Sequence, residues 1–218
     1  MKKFTLCVIV CVTMMAIIAT GLAYATIQKE TPQLSKEKLV TVEEKVVEPE
    51  EEVRKVEKPK PPTPEELEKQ HLNACAAEYP TATKIWRYMR YELGWNQNVC
   101  AGVMGNIMAE CGGQTLNITE DLYAHDYYGM CQWSRKYHPD VIGTDLNYQL
   151  KYLKNTVDDE FKVFGHLYRS KFTYEDFTNL KTPETAALAF AQVYERCSSK
   201  TYTIRVENAQ KAYNYFVN

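Results

Sequence analysis

What most constrains this chain is how it sorts its residue types along its length. All three tryptophans (Trp86, Trp95, Trp133) and every tyrosine except Tyr24 lie after His71, whereas residues 26–70 hold no aromatic side chain. Burial of large apolar groups is what offsets the entropy of ordering a chain, so a packed core is expected only in the C-terminal part. That part, residues 71–218, is about 150 residues long, ample for one core.

The two preceding segments read differently. Lys2 and Lys3 precede an apolar stretch from Phe4 to Tyr24 that carries no charge and ends in Ala23-Tyr24-Ala25. A short positive start, an apolar run and a small-x-small end describe a secretory signal peptide. The run is also close to the ~20 residues that span a bilayer as a helix, so residues 1–25 are expected to be either a cleaved signal or a membrane tether through residues 4–24. Either way the remainder is exported. Residues 26–70 mix nine basic with twelve acidic side chains and end in a proline-rich KPKPPTPEE. This is the composition of a disordered linker, extended at its proline-rich end: a spacer between domain and membrane, or an ordinary solvated connection. The net charge of the whole chain is only -2, and residues 71–218 hold 15 basic against 16 acidic groups, so nucleic acid is not expected as a partner.

Within residues 71–218 the apolar spacing is helical. Leu150, Leu153, Val157, Phe161, Phe164 and Tyr168 recur at three and four, a stripe along one helix that follows Leu146. Thr182-Pro183-Glu184 is a helix start, with a capping hydroxyl, proline at the first position and an acid in the first turn. A closing helix is expected from Ile204 to Phe216, one around Ile85–Leu93 closed by Gly94, and one from Gln97 to Glu110 stopped by Gly112-Gly113. From Gly112 to Asp145 there is no helical period, only Gly, Asp, Tyr and Trp in quantity. The fold class is therefore mainly α, a helical domain with an irregular aromatic-rich insert.

Five cysteines fall in this domain (Cys75, Cys100, Cys111, Cys131, Cys197). Export permits disulfides, but the odd number leaves at least one thiol unpaired within the chain. Their spacing fits no zinc pattern, and His71, His125, His138 and His166 are scattered, so neither a metal nor a cofactor is expected. Glu110 closes the apolar stretch GVMGNIMAE at a predicted helix C-terminus. The negative end of the helix dipole and cover from Ile107 and Met108 both favour a protonated carboxyl, which a general acid near neutrality requires. A plain solvated glutamate at a helix end is the competing reading. The run Tyr127-Tyr128-Gly129-Met130-Cys131-Gln132-Trp133-Ser134 sets flat rings beside an amide and a hydroxyl. Such groups stack on sugar rings and bond their hydroxyl and N-acetyl groups, or else they fill the core.

Together, IWRYMRYELGWNQNVCAGVMGNIMAEC and YYGMCQWS resemble the phage tail lysozyme family of lysozyme-like, peptidoglycan-cleaving domains. TPETAALAFAQVYERCS and YTIRVENAQKAYNYF look like its closing helices, so the resemblance covers about Thr83 to Phe216. It implies a lysozyme-like fold and cleavage of the β-1,4 bond between N-acetylmuramic acid and N-acetylglucosamine, with peptidoglycan strands as partner. It places Glu110 at the catalytic position and Asn106, Tyr128, Gln132 and Trp133 along the glycan cleft. The family's Ser-Gly continuation after that glutamate is replaced by Cys111-Gly112-Gly113-Gln114, which reshapes the loop. A bridge between Cys111 and Cys131 could tie that loop to the cleft segment. An inverting hydrolase would need a second carboxylate about 6.5–9.5 Å away, and a retaining one a nucleophile at about 5–5.5 Å. Asp121 and Asp126 in the insert are the candidates. A lytic transglycosylase needs neither, because the muramic 6-hydroxyl attacks internally. A non-catalytic glycan-binding module and, more weakly, a cysteine–histidine peptidase are the rival classes.

Overall fold

The computed structural model describes residues 60–218. The expected signal or tether and most of the expected linker lie outside these residues. Among the described residues no helix is long and apolar enough to cross a membrane.

Helix α1 (Pro64–Glu78) begins inside the stretch expected to be linker, ahead of His71. The reason is local. Thr63 Oγ1 accepts from the Glu66 N–H at 3.3 Å, and the Glu66 carboxylate accepts from the Thr63 N–H at 2.7 Å, a reciprocal capping box with Pro64 in the first turn. Helix α2 (Pro80–Arg87) continues through a π turn (Tyr88–Glu92) and closes at Gly94, whose φ of +69° is the left-handed conformation glycine favours. Arg90 pins α1 to this turn by donating to Glu68 at 2.8 Å, with both groups mostly buried.

Helix α3 (Gln97–Cys111) starts at Asn96, whose Oδ1 accepts from the N–H groups of Asn98 and Val99. Every residue from Val99 to Met108 is buried, so α3 is an axis surrounded by protein and not a helix with one apolar face. It is flanked by α6 (Pro183–Val193) and α7 (Tyr202–Val217). A Cβ on Gly102 would stand 2.5 Å from Ala186 Cβ and Ala187 N, and one on Gly105 would stand 2.5 Å from Ala209 N and Arg205 O. Glycine is required at both places because partner backbone occupies the space.

The stretch after α3 forms three two-residue strands, β1 (Tyr123–Ala124), β2 (Tyr127–Tyr128) and β3 (Trp133–Ser134). They pair antiparallel in that order, with Tyr123 opposite Tyr128 and Tyr128 opposite Trp133. Helix α4 (Leu146–Phe164) carries the expected apolar stripe and ends at Gly165, against which the Phe172 carbonyl packs. A short α5 (Tyr174–Thr178) follows, capped reciprocally by Thr173 and Asp176. Thr182 and Pro183 open α6 as the sequence predicts. The architecture is thus mainly α, with a small irregular sheet inserted between α3 and α4.

Replacing Gly105 with Ala gains about 1 kcal/mol of helix propensity but meets backbone atoms that cannot rotate aside, an overpacking cost of up to about 3 kcal/mol. A net loss of about 2 kcal/mol, or about 4–8 °C in melting temperature, is expected for G105A by circular dichroism. An unchanged melt would show that α7 can be lifted from α3 without penalty.

Candidate active site

Two helix C-termini meet beside the small sheet. Glu110 lies in the last turn of α3, and Glu195 stands just beyond the end of α6. After α3 the chain turns through Gly113 and Gln114, both at positive φ, and the N–H of Gln114 returns to Met108 O at 3.0 Å. After α6 the turn passes through Arg196 at φ +48°, with the Glu195 N–H donating to Phe190 O at 3.1 Å. The left-handed conformation at a non-glycine costs about 1 kcal/mol or more. It aims Arg196 outward, where its Nη1 donates to Glu160 at 2.5 Å and its guanidinium covers the Phe164 ring.

Arg205, buried in the first turns of α7, organises the pair. Its Nη2 donates to Glu110 Oε1, its Nη1 to Asn106 Oδ1 at 2.9 Å and its Nε to Thr201 Oγ1 at 3.2 Å. Asn106 in turn donates to Gly102 O at 2.9 Å and Ala187 O at 3.1 Å. Burial alone would lower the guanidinium's affinity for its proton. The carboxylates of Glu195 and Glu110 more than compensate, so the net shift is upward. No donor of Arg205 reaches Glu195. That side chain is half-buried, its Oε1 is buried without a hydrogen-bond partner, and the carboxyl is pushed well above the usual carboxylate range. Desolvation is the main cause and the charge of Glu110 the next, against opposing effects from Arg205, the Cys131 thiol and Arg196.

A cleft of about 210 Å³ opens over Glu195, walled by Tyr127, Gln132, Trp133, Tyr137 and Arg196. Gln132 sits at φ +47° and donates both amide hydrogens inward, to Leu122 O at 3.0 Å and Gly129 O at 2.9 Å. Its amide oxygen is left as the end that can meet a ligand. Trp133 is buried, its indole N–H donating to Tyr194 Oη at 3.1 Å, and that hydroxyl meets Thr156 Oγ1 at 2.9 Å. The rings that stand free on the cleft wall are Tyr127 at 50% exposure and Tyr137 at 70%.

The structure separates the residues singled out in the sequence. Glu110 is joined to Arg205 and does not itself line the cleft, whereas Gln132 and the edge of Trp133 do. Asn106 has no exposed surface and spends its amide on Gly102, Ala187 and Arg205, so in this arrangement it holds the site together and cannot touch a glycan. Tyr128 is likewise buried, its hydroxyl donating to Thr144 O at 2.6 Å. Asp121 lies exposed before β1 and Asp126 exposed in the β1–β2 turn, and neither lines the cleft over Glu195. The carboxyl close to Glu110 is Glu195, which lies inside YERCS. A charged pair, Glu195-Arg196, directly after the apolar stretch Ala186–Tyr194 was the available signal.

All five domain cysteines are free thiols. The tie expected of a Cys111–Cys131 bridge is made by the Cys111 thiol, which donates to Met130 O at 3.5 Å. A cysteine–histidine pair does occur, Cys75 Sγ lying 3.5 Å from His71 Nε2. That nitrogen also meets the Tyr215 carbonyl at 2.9 Å, where it must act as the donor, so it has no lone pair with which to activate the thiol.

A helical domain with a carboxyl on the wall of an aromatic-lined cleft, and a carboxyl–guanidinium pair close by, defines a lysozyme-like class of protein. The chain matches the phage tail lysozyme family over residues 80–216, more than half its length, and it belongs to that family. The family is one of peptidoglycan-cleaving domains acting on cell walls. The chain matches no curated protein and no solved structure.

Glu195 supplies a stability test. The folded protein keeps a proton on this carboxyl at pH values where the unfolded chain has released it. Folding stability therefore falls as pH rises from the ordinary glutamate value, about 4.3, toward the raised value in the fold. Glu195→Gln removes this dependence, so the melting temperature of the variant should gain on the wild type as pH rises from 4.5 to 8. A constant difference across that range would show that Glu195 titrates as an ordinary solvated acid.

Proposed function

We propose that this chain is a glycosidase that cleaves the β-1,4 bond between N-acetylmuramic acid and N-acetylglucosamine, with Glu110 as general acid. The observation that carries the reading is a carboxyl, Glu195, on the wall of a cleft whose free surfaces are aromatic rings and one amide oxygen, with the Glu110–Arg205 pair close enough behind it for their charges to act on it. Tyr127 and Tyr137 are placed to stack on sugar faces, and Gln132 to accept from an N-acetyl N–H or a hydroxyl. Glu110 would deliver a proton to the leaving oxygen as positive charge develops on the neighbouring sugar ring. Trp133 acts in this reading through its position, holding the cleft wall against α4 and Tyr194.

What attacks the sugar distinguishes a hydrolase from a lytic transglycosylase. Asp121 and Asp126 are exposed in the insert and, like Glu110, outside the cleft lining, so they serve a hydrolase only if a glycan draws the insert toward Glu110. Attack by the muramic 6-hydroxyl asks for no further carboxylate. Action at the cell wall after export, on a spacer that begins at a signal or membrane tether, is the setting we propose for the full chain.

Digestion of purified peptidoglycan by the full chain, with products weighed by mass spectrometry, tests this. Glu110→Gln should lower turnover at least ~10²-fold, the usual size of a lost general acid, while glycan binding persists. Reducing muramic ends would identify a hydrolase and anhydro ends a transglycosylase. Glycan retained without any product from the wild type would leave a binding module.

A further inference from the structure

Glu195 has no part in the general-acid scheme above, yet it is a half-buried carboxyl on the cleft wall with one oxygen, Oε1, fully buried. Its Oε1 meets no donor, although an ionised oxygen buried in this way would be costly without one. Each cation nearby is engaged elsewhere: Arg205 by hydrogen bonds to Glu110, Asn106 and Thr201, and Arg196 by Glu160. Two carboxylates and one guanidinium would leave the cluster at a net charge of minus one. A single proton makes it neutral.

We propose that Glu195 is the proton-holding partner of Glu110: it keeps the cluster's one proton while Arg205 holds Glu110 as the carboxylate, and it yields that proton to Glu110 when glycan fills the cleft. The inference rests on the glycosidase reading, and Glu195 is in it a positioning residue that acts through Glu110. The proton passes from the Glu195 carboxyl to the Glu110 carboxylate. Glu110 then gives it to the glycosidic oxygen as the bond from that oxygen to the sugar C1 breaks. The attacking hydroxyl, from water or from the muramic 6-position, forms the new bond to C1 and leaves its own proton on the carboxylate pair, which restores the starting state.

The other groups facing Glu195 do not replace it as proton holder. Cys111 of α3, Cys131 of the cleft segment, Cys197 and Tyr194 are all pushed up by burial and stay neutral through this range. Along the same cleft, burial pushes His138 down, and Glu160 is paired with Arg196. Two acids whose charges interact titrate as a pair, the first proton leaving early and the last one late. The late proton is the useful one near neutrality.

The test is the pH profile of kcat/KM on peptidoglycan, from pH 4 to 9, for the full chain and its Glu195→Gln form. Without Glu195 the cluster lacks the group that holds its proton to higher pH. The alkaline limb should move down by at least one unit, so the rate at pH 7 falls about tenfold or more while the rate near pH 4.5 is retained. A limb that does not move overturns the proposal. So does equal loss at every pH, which would give Glu195 a structural or directly chemical role instead. Carbon-13 titration of the glutamate carboxyls, with Glu195 assigned by its absence in Glu195→Gln, is a readout independent of turnover. In Glu110→Gln the Glu195 titration should fall toward the ordinary glutamate range. An unchanged titration overturns the pairing even in an active enzyme. A wild type without products overturns the glycosidase reading while leaving the pairing measurable.

Discussion

The close approach of three helix backbones at Gly102 and Gly105 is the constraint on which the rest of this domain depends. Two residues without side chains let α6 and α7 press against α3 from different sides. The same face of α3 then carries the chemistry, because Gly102, Asn106 and Glu110 are spaced by four and stack along one stripe. Asn106 bonds back to the Gly102 carbonyl and across to Ala187, and it is this fixed amide that receives Arg205. One turn later Glu110 meets the same guanidinium. A bulkier residue at the crossing would move both neighbouring helices and separate Arg205 from its carboxylate. Helix packing and the electrostatics of the site are therefore one problem.

The electrostatics follow from where the helices end. Glu110 and Glu195 both sit at helix C-termini, where unsatisfied carbonyls make the local field negative and a second negative charge unwelcome. One cation is available to two acids, and hydrogen bonding assigns it to Glu110. The acids, alike in the sequence, are thereby made unequal. Glu110 is paired with the guanidinium, whereas Glu195 keeps a buried oxygen without a donor. Unequal environments for two nearby carboxyls are the usual route by which a fold divides acid and base roles.

The helices were legible in the sequence wherever an apolar stripe or a distinct start or stop residue marks them. The α4 stripe from Leu150 to Phe161, the Thr182-Pro183 start of α6 and the Gly112 stop of α3 all follow from periodicity and capping. The start of α1 was hidden because its signal, Thr63-Pro64-Glu65-Glu66, continues the Pro/Glu composition of the tract before it. Glu110 was legible because it closes an apolar helix. Glu195 was not, since its relation to Glu110 and Arg205 spans 85 and 10 positions of sequence and exists only once α3, α6 and α7 are packed. Asn106 and Tyr128 carried the right chemistry for sugar contact, but the core needed their polar atoms first.

The aromatic insert shows the same competition at the level of single rings. Tyr127 and Tyr128 are adjacent on a strand, so their side chains leave by opposite faces, one exposed and the other buried against Thr144. Which ring is free to meet a ligand depends on register, and register here is pinned from outside the sheet. Gln149 of α4 accepts from the Met130 N–H at 2.8 Å and donates to Glu120 O and Thr144 O, and its amide fills the space a side chain on Gly129 would need. Every polar end of that amide is used inside the protein. Three two-residue strands would have little stability alone, and bonding to a rigid helix fixes them before any ligand arrives. A cleft wall ordered in this way spends little binding energy on its own arrangement, which leaves more of the interaction with a ligand for fixing that ligand in place.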